Sequence, residues 1–139
     1  MSNGLDVALM KDPFGKWSPE LGDHHTDIEF GVYEWGSFFF NTLQAAETEY
    51  IDGEPIEEYE KRRSTAFRDS LTDFPLLARI DKFFRDANFS AAEIPMLQDE
   101  LKRVESLPLD PNAAAFLEGM LAGCALALSE DMGITLLSS

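Results

Sequence analysis

Three consecutive stretches of apolar residues at helical spacing occupy residues 73–128, and they constrain the fold more than any other feature of the chain. In the first stretch, residues 74–84, apolar side chains recur three and four positions apart, which places them on one face of a helix. Pro75 falls in the first turn of that helix, where its missing N–H costs little. We therefore expect a helix whose buried face is formed by Leu76, Leu77, Ile80, Phe83 and Phe84.

The second stretch begins with Ser90 and Glu93, which have the spacing of a helix capping box. Pro95 lies one position deeper than a regular helix tolerates without cost. We therefore expect a distorted first turn, followed by a regular helix. Its apolar seam steps by three and four residues and consists of Ile94, Leu97, Leu101 and Val104.

The third stretch, residues 112–128, is the most apolar and contains a single charged residue, Glu118. A helix of this composition is typical of the centre of a core. Gly119 and Gly123 lie one helical turn apart, so a neighbouring element can approach closely there. At roughly 17 residues the stretch is short for a membrane span, and the segments beside it are acidic rather than basic. The sequence therefore does not favour a membrane partner.

Outside these stretches, the sequence predicts helices over residues 33–46 and 56–63, and short strands at residues 5–10 and 134–137 that are plausible partners for each other. The predicted fold is all-α: one domain over residues 1–139, a bundle of about five helices with strand confined to the two ends. The predicted core consists of Leu77, Ile80, Phe84, Leu97, Leu101, Phe116, Leu117, Leu121 and Cys124.

The net charge of −15 arises from 26 acidic residues against 11 basic ones. Such a surface repels nucleic acid and anionic membranes and suits a basic protein partner. The alternative is that the acidity only keeps the protein soluble. The sequence does not define an oligomeric state.

The acidity is concentrated in residues 17–60, which contain twelve acids and no lysine or arginine. Nine aromatic residues lie in the same interval, and aromatic side chains often anchor protein interfaces. We therefore predict that this interval presents the partner-binding face. The residues expected to contribute are the loop acids and the later acidic run, namely Asp23, Asp27, Glu29, Glu47, Glu49, Asp52, Glu54, Glu57 and Glu58.

No motif in the chain predicts catalysis, so we expect a protein that is not an enzyme and has no cofactor or metal. His24 and His25 are adjacent, are expected in a loop, and lack a second His or Cys pair to complete a metal site. Cys124 lies on an apolar helix face, as structural thiols do. Glycine-rich phosphate-binding motifs are absent from the sequence. One cysteine excludes an internal disulfide and, with no visible secretory signal, indicates a cytoplasmic location.

The pattern resembles the small immunity proteins of bacterial polymorphic-toxin and contact-dependent inhibition systems. The resemblance is carried by hydrophobic spacings, namely Phe74-Pro75-Leu76-Leu77-x-x-Ile80-x-x-Phe83-Phe84, Ser90-x-x-Glu93-x-x-x-Leu97-x-x-Glu100-Leu101, the small-residue helix 116–128 and Asp131-Met132-Gly133-Ile134. It implies a mostly helical, non-catalytic protein that binds and neutralises a cognate toxin. It assigns no toxin-contacting residue. The competing interpretation is a stand-alone helical domain that binds a small molecule between its helices.

Overall fold

A four-stranded antiparallel sheet with helices on one face forms the fold in the computed structural model, which describes residues 4–138. The strand order is β2-β1-β4-β3. In chain order the elements are β1 (Leu5–Met10), β2 (His24–Phe30), α1 (Val32–Gly36), α2 (Ile56–Ser70), β3 (Ala87–Phe89), α3 (Ile94–Val104), α4 (Pro111–Glu130) and β4 (Gly133–Ser138). The prediction of an all-α bundle is therefore wrong, because the fold is mixed α and β.

The two ends of the described chain pair in the middle of the sheet. Strand β1 runs antiparallel to β4, in a register from Leu5 opposite Ser138 to Met10 opposite Gly133. The predicted pairing of the ends is confirmed. The prediction that strand is confined to the ends is wrong, because β2 joins the free side of β1 and β3 joins the free side of β4.

Strand β2 replaces the loop that the sequence predicted around His24 and His25. Along it, partly or fully buried side chains at Thr26, Ile28 and Phe30 alternate with exposed ones. This alternation is the two-residue period of a strand with one face on a core. The polar content of the segment concealed that period, because only half of its residues face inward.

Helix α4 lies on the inner face of the sheet and is contacted by α1, α3, β2 and β4. A Cβ atom at Gly119 would clash with the ring of Phe30, and one at Gly123 would lie 3.2 Å from Cγ1 of Val7. The two glycines therefore allow the close approach that their spacing predicted, with the sheet as the neighbour. By length and composition α4 is the one described helix apolar enough to cross a membrane. It is buried on one face only, since 39% of its apolar window is buried and Leu126 and Leu128 are 40% and 43% exposed.

A layer of aromatic side chains joins α4 to α2. Helix α1 continues directly into a π-helical segment, Ser37–Thr42, so the helix predicted over residues 33–46 is present but ends earlier. Within this segment Phe39 lies 5.7 Å from Phe116 of α4 and 5.3 Å from Phe67 of α2, measured between ring centroids. The segment thus lies between the two helices.

The prediction of a helix over residues 74–84 is wrong, because only the single 3₁₀ turn Leu77–Arg79 forms there. Distant side chains bind the backbone of this segment. The N–H groups of Leu76 and Leu77 donate to the carboxylate of Glu100 in α3. The carbonyl of Ile80 accepts from Nε1 of Trp35 at 3.0 Å.

The loss of this helix changes one member of the predicted core. Phe84 is 72% exposed, so its prediction as a core residue is wrong. Leu121 is partly buried and packs against the core. The remaining predicted core residues are buried, namely Leu77, Ile80, Leu97, Leu101, Phe116, Leu117 and Cys124.

The start of α3 confirms the prediction from the capping box and the proline. A 3₁₀ turn, Ala91–Glu93, precedes the regular helix, and Pro95 then falls in the first turn of α3. The backbone N–H of Ser90 donates to Oε1 of Glu93 at 3.0 Å. Helix α2 also confirms its prediction and extends beyond residue 63 to Ser70.

The ion pair between Arg79 and Glu93 gives a pH-dependent contribution to stability. Its hydrogen bond is the main reason why the pKa of Glu93 falls from 4.5 to about 2. Stabilisation from a lowered pKa is present above the unfolded value and is lost as the pH falls toward the folded value. We therefore expect Glu93→Gln to be less stable than the parent protein at pH 7 by on the order of 2 kcal/mol, and the gap to close between about pH 4.5 and 2.

Urea melts at several pH values within this window measure the gap. Glu105→Gln is the matched control, because Glu105 is exposed and its carboxylate has no partner among residues 4–138. A gap for Glu93→Gln that is constant across the window would show that the Arg79 pair does not control this titration.

Candidate functional site

The nine acids predicted to bind a partner lie in three parts of the fold, namely the loop before β2, strand β2 itself and the later acidic run. Asp23 is 5% exposed. Its carboxylate accepts from the backbone N–H groups of Lys11 and Ser18, both at 2.7 Å, and so closes the loop between β1 and β2. Both of its oxygens are thus occupied within the protein, and little of the side chain is exposed at the surface.

Asp27 and Glu29 are exposed on the outer face of strand β2, away from α4. Glu29 lies opposite Asp6 of β1 in the register of the sheet, so this face carries two like charges on paired positions. Like charges placed opposite each other on neighbouring strands repel. The outer face of β2 is therefore an anionic surface, carried by a different element from the later acidic run.

The later acidic run forms a segment that we call the acidic strap, residues 46–58, which includes the first turn of α2. Side chains of α2 hold the strap against the helix. Ser70 Oγ accepts from the N–H of Ala46, Tyr59 donates its hydroxyl to the carbonyl of Thr48, and Arg62 donates to the carbonyl of Glu49. These three hydrogen bonds fix the first part of the strap, residues 46–49, against α2.

A tight turn reverses the strap before α2 begins. The N–H of Glu54 donates to the carbonyl of Ile51 at 3.0 Å, and Gly53 adopts a positive φ of 87°. Glycine adopts this left-handed conformation without steric cost. The turn places the acids before Gly53 beside those at the start of α2.

Glu54 differs from the other acids of the strap because its carboxylate forms hydrogen bonds within the strap and to α2. Its carboxylate accepts from Arg62 at 2.6 Å and from the N–H of Ile51 at 2.8 Å. The Arg62 hydrogen bond is the first cause of a lowered pKa for Glu54, and the Ile51 N–H is the second. Glu54 thus holds the strap, and its charge is already paired.

Five carboxylates of the strap are exposed and have no ion pair or side-chain hydrogen bond within residues 4–138. Apolar side chains lie between them, since Tyr50, Ile51 and Ile56 are 48%, 59% and 63% exposed. A surface that combines unpaired charge with exposed apolar groups is typical of a protein interface. The five residues are Glu47, Glu49, Asp52, Glu57 and Glu58.

An open groove of about 560 Å³ runs along α2 next to the strap. Glu54 and Glu58 line its acidic side, while Lys61 and Arg62 line the next helical turn. This groove is shallow and open to solvent, so it suits a side chain of a partner protein more than an enclosed small molecule.

The two histidines and the cysteine lie in different parts of the fold. The ring of His24 lies 2.8 Å from the carbonyl of Gly22, whereas the ring of His25 contacts Trp17 at 4.8 Å, so the two histidines face opposite sides of β2. Burial raises the pKa of the Cys124 thiol to about 12, which keeps it protonated and unreactive. Within residues 4–138, no group of three His, Cys, Asp or Glu side chains is arranged to hold a metal.

The sequence reasoning missed a second charged region. Seven of the eleven basic residues lie between positions 61 and 85. Two of them, Arg68 and Arg85, donate to the buried carboxylate of Asp81. Their clustering depends on Asp81, which lies thirteen positions after Arg68 and four before Arg85.

Comparisons of the chain with protein-family models, with curated proteins and with solved structures found no match.

Proposed function

We propose that this protein is a non-catalytic binding protein that captures a basic partner protein on its acidic strap. The observation that carries the proposal is the set of five unpaired, exposed carboxylates interleaved with Tyr50, Ile51 and Ile56. Carboxylates steer a basic partner toward the surface, and apolar groups that become buried stabilise the complex once formed. The net charge of −15 adds a long-range field of the same sign.

The biological role we propose is that of an immunity protein, whose partner is a toxin domain with a basic surface. An immunity protein needs fast and tight binding, because it must neutralise the toxin before the toxin reaches its target. Electrostatic steering raises association rates, and a strap that is already fixed to α2 loses little conformational entropy on binding. The exposed carboxylates of the strap provide the steering, and the hydrogen bonds from Tyr59 and Arg62 hold the strap in place before binding.

The proposal is tested by co-producing the protein in bacteria with the toxin domain encoded beside its gene. We expect growth to be rescued by the parent protein and lost when the strap carries Glu47→Lys, Glu49→Lys and Asp52→Lys. The matched control carries Asp99→Lys, Glu105→Lys and Glu118→Lys, which change the net charge equally at exposed positions on α3, just after it, and on α4. Rescue by the strap variant, or equal loss of rescue in both variants, would argue against the strap as the binding site.

A further inference from the structure

Two cavities adjoin each other on the flank of α2 that faces residues 81–85, and they share three lining residues, Glu60, Lys82 and Arg85. The smaller has a volume of about 260 Å³ and a polar lining, whereas the larger has a volume of about 550 Å³ and an aromatic floor. We propose that together they bind a small phosphate monoester of an aromatic or short aliphatic group. This site is separate from the acidic strap.

The smaller cavity is cationic in a protein that is otherwise strongly anionic. Its two carboxylates, from Glu60 and Asp81, are outnumbered by four cationic side chains, those of Lys61, Arg68, Lys82 and Arg85. A cavity with excess positive charge attracts an anion, and guanidinium groups match the geometry of phosphate oxygens.

Asp81 holds the two arginines in place while leaving most of their donors unused. The side chain of Asp81 is fully buried, and its two oxygens accept one hydrogen bond each from Arg68 and Arg85. A guanidinium group has five N–H donors, so each arginine retains donors for a ligand. Lys82 is positioned in the same way by Glu60 at 2.7 Å.

Ser64 supplies a second, independent indication of a ligand. Ser64 lines the smaller cavity, and its hydroxyl oxygen is buried and has no hydrogen-bond partner within residues 4–138. A serine within a helix usually bonds a carbonyl of the preceding turn, as Ser70 of the same helix does with Phe67 at 2.7 Å. A buried hydroxyl without a partner is rare in native proteins. Because Ser64 lines this cavity, rotation of its side chain would allow the hydroxyl to donate to a phosphate oxygen bound there.

The larger cavity accounts for the exposure of Phe84. This side chain is among the most exposed apolar groups of the protein and lies edge-on to Phe83 at 5.1 Å. Val32 and the buried ring of Trp35 complete the apolar lining. A ring or short alkyl chain placed here contacts aromatic faces while its phosphate reaches Lys82 and Arg85.

Isothermal titration calorimetry with phenyl phosphate, inorganic phosphate and benzyl alcohol tests the proposal. We expect phenyl phosphate to bind at least about tenfold more tightly than inorganic phosphate, and benzyl alcohol not to saturate the protein up to about 10 mM. Ser64→Ala and Lys61→Gln are expected to weaken both phosphates. Phe84→Ala is expected to weaken phenyl phosphate alone, to the affinity of inorganic phosphate.

Two matched controls separate this site from general effects of charge and apolar exposure. Lys102→Gln removes an exposed lysine, and Phe14→Ala removes an exposed phenylalanine, and neither residue lines these cavities. Both controls are expected to bind phenyl phosphate as the parent protein does. The proposal is overturned if phenyl phosphate does not saturate the protein, or if the controls lose as much affinity as Ser64→Ala and Lys61→Gln.

Discussion

Replacement of Glu100 by alanine is expected to lower the free energy of unfolding by about 3–5 kcal/mol. Glu100 is buried, and its carboxylate is the acceptor for the N–H groups of Leu76 and Leu77 at 3.0–3.1 Å. In the alanine variant these two buried donors lose their acceptor and a cavity forms beside them. The turn at residues 77–79 then loses its attachment to α3.

Chemical denaturation of Glu100→Ala, Glu100→Gln and Glu105→Ala measures this effect. The glutamine variant keeps one acceptor oxygen, so we expect a loss of about 1–2 kcal/mol. Glu105 is exposed, and its alanine variant is expected to stay within about 0.5 kcal/mol of the parent protein. Equal stability of the Glu100 and Glu105 alanine variants would contradict the role given to the buried carboxylate.

Replacement of Phe116 by alanine is expected to cost about 3–5 kcal/mol, because it removes the ring that joins the sheet to the aromatic layer. The ring of Phe116 is fully buried and lies 4.5 Å from Phe30 of β2 and 4.6 Å from Phe38, measured between centroids. A loss of this size is a large share of the stability of a domain of this length.

Phe84→Ala is the matched comparison for Phe116→Ala, because the sequence pattern predicted that both rings are buried. In the structure Phe84 is 72% exposed, so its removal is expected to cost less than about 1 kcal/mol. Thermal or denaturant melts of the two variants distinguish the structure from the pattern. Similar losses for both would mean that residues 74–84 pack as the predicted helix.

The sequence predicted those elements whose signals are local. The capping box at Ser90 and Glu93 and the apolar length of α4 depend on nearby residues. The two end strands were recognised as simple apolar runs, although they pair across more than 120 positions. Residues 74–84 have an equally clear helical period, but distant partners decide their conformation. Trp35 bonds the Ile80 carbonyl, which a helix would pair with the N–H of Phe84, and Glu100 holds the N–H groups at the start of the segment. No local pattern reports these partners.

The two edge strands were missed for different reasons. Strand β2 has a two-residue period, but its outward residues are His25, Asp27 and Glu29, and their polarity indicated a loop. Strand β3 has only three residues, Ala87–Phe89, which is too short for any period to appear. It is specified by pairing with β4, a contact between residues more than forty positions apart.

The candidate site was partly visible in the sequence. Residues 17–60 contain no lysine or arginine, so no basic residue is close in sequence to most acids of the strap. This composition predicted that those acids are unpaired. Composition did not distinguish Asp23 and Glu54, whose carboxylates are occupied by backbone N–H groups or by Arg62. The cationic cavity was also hidden, since Arg68 and Arg85 meet only through Asp81.

The most direct test of the proposed function is the association rate constant of the purified protein with the cognate toxin domain, measured by stopped-flow across a salt series. We expect the triple strap variant Glu47→Lys, Glu49→Lys and Asp52→Lys to associate at least about tenfold more slowly than the parent protein at low salt. The difference should shrink as salt screens the charges. The equally charged control at Asp99, Glu105 and Glu118 should associate much faster than the strap variant. Equal rates for the two variants at every salt concentration would contradict the claim that the acidic strap is the binding face.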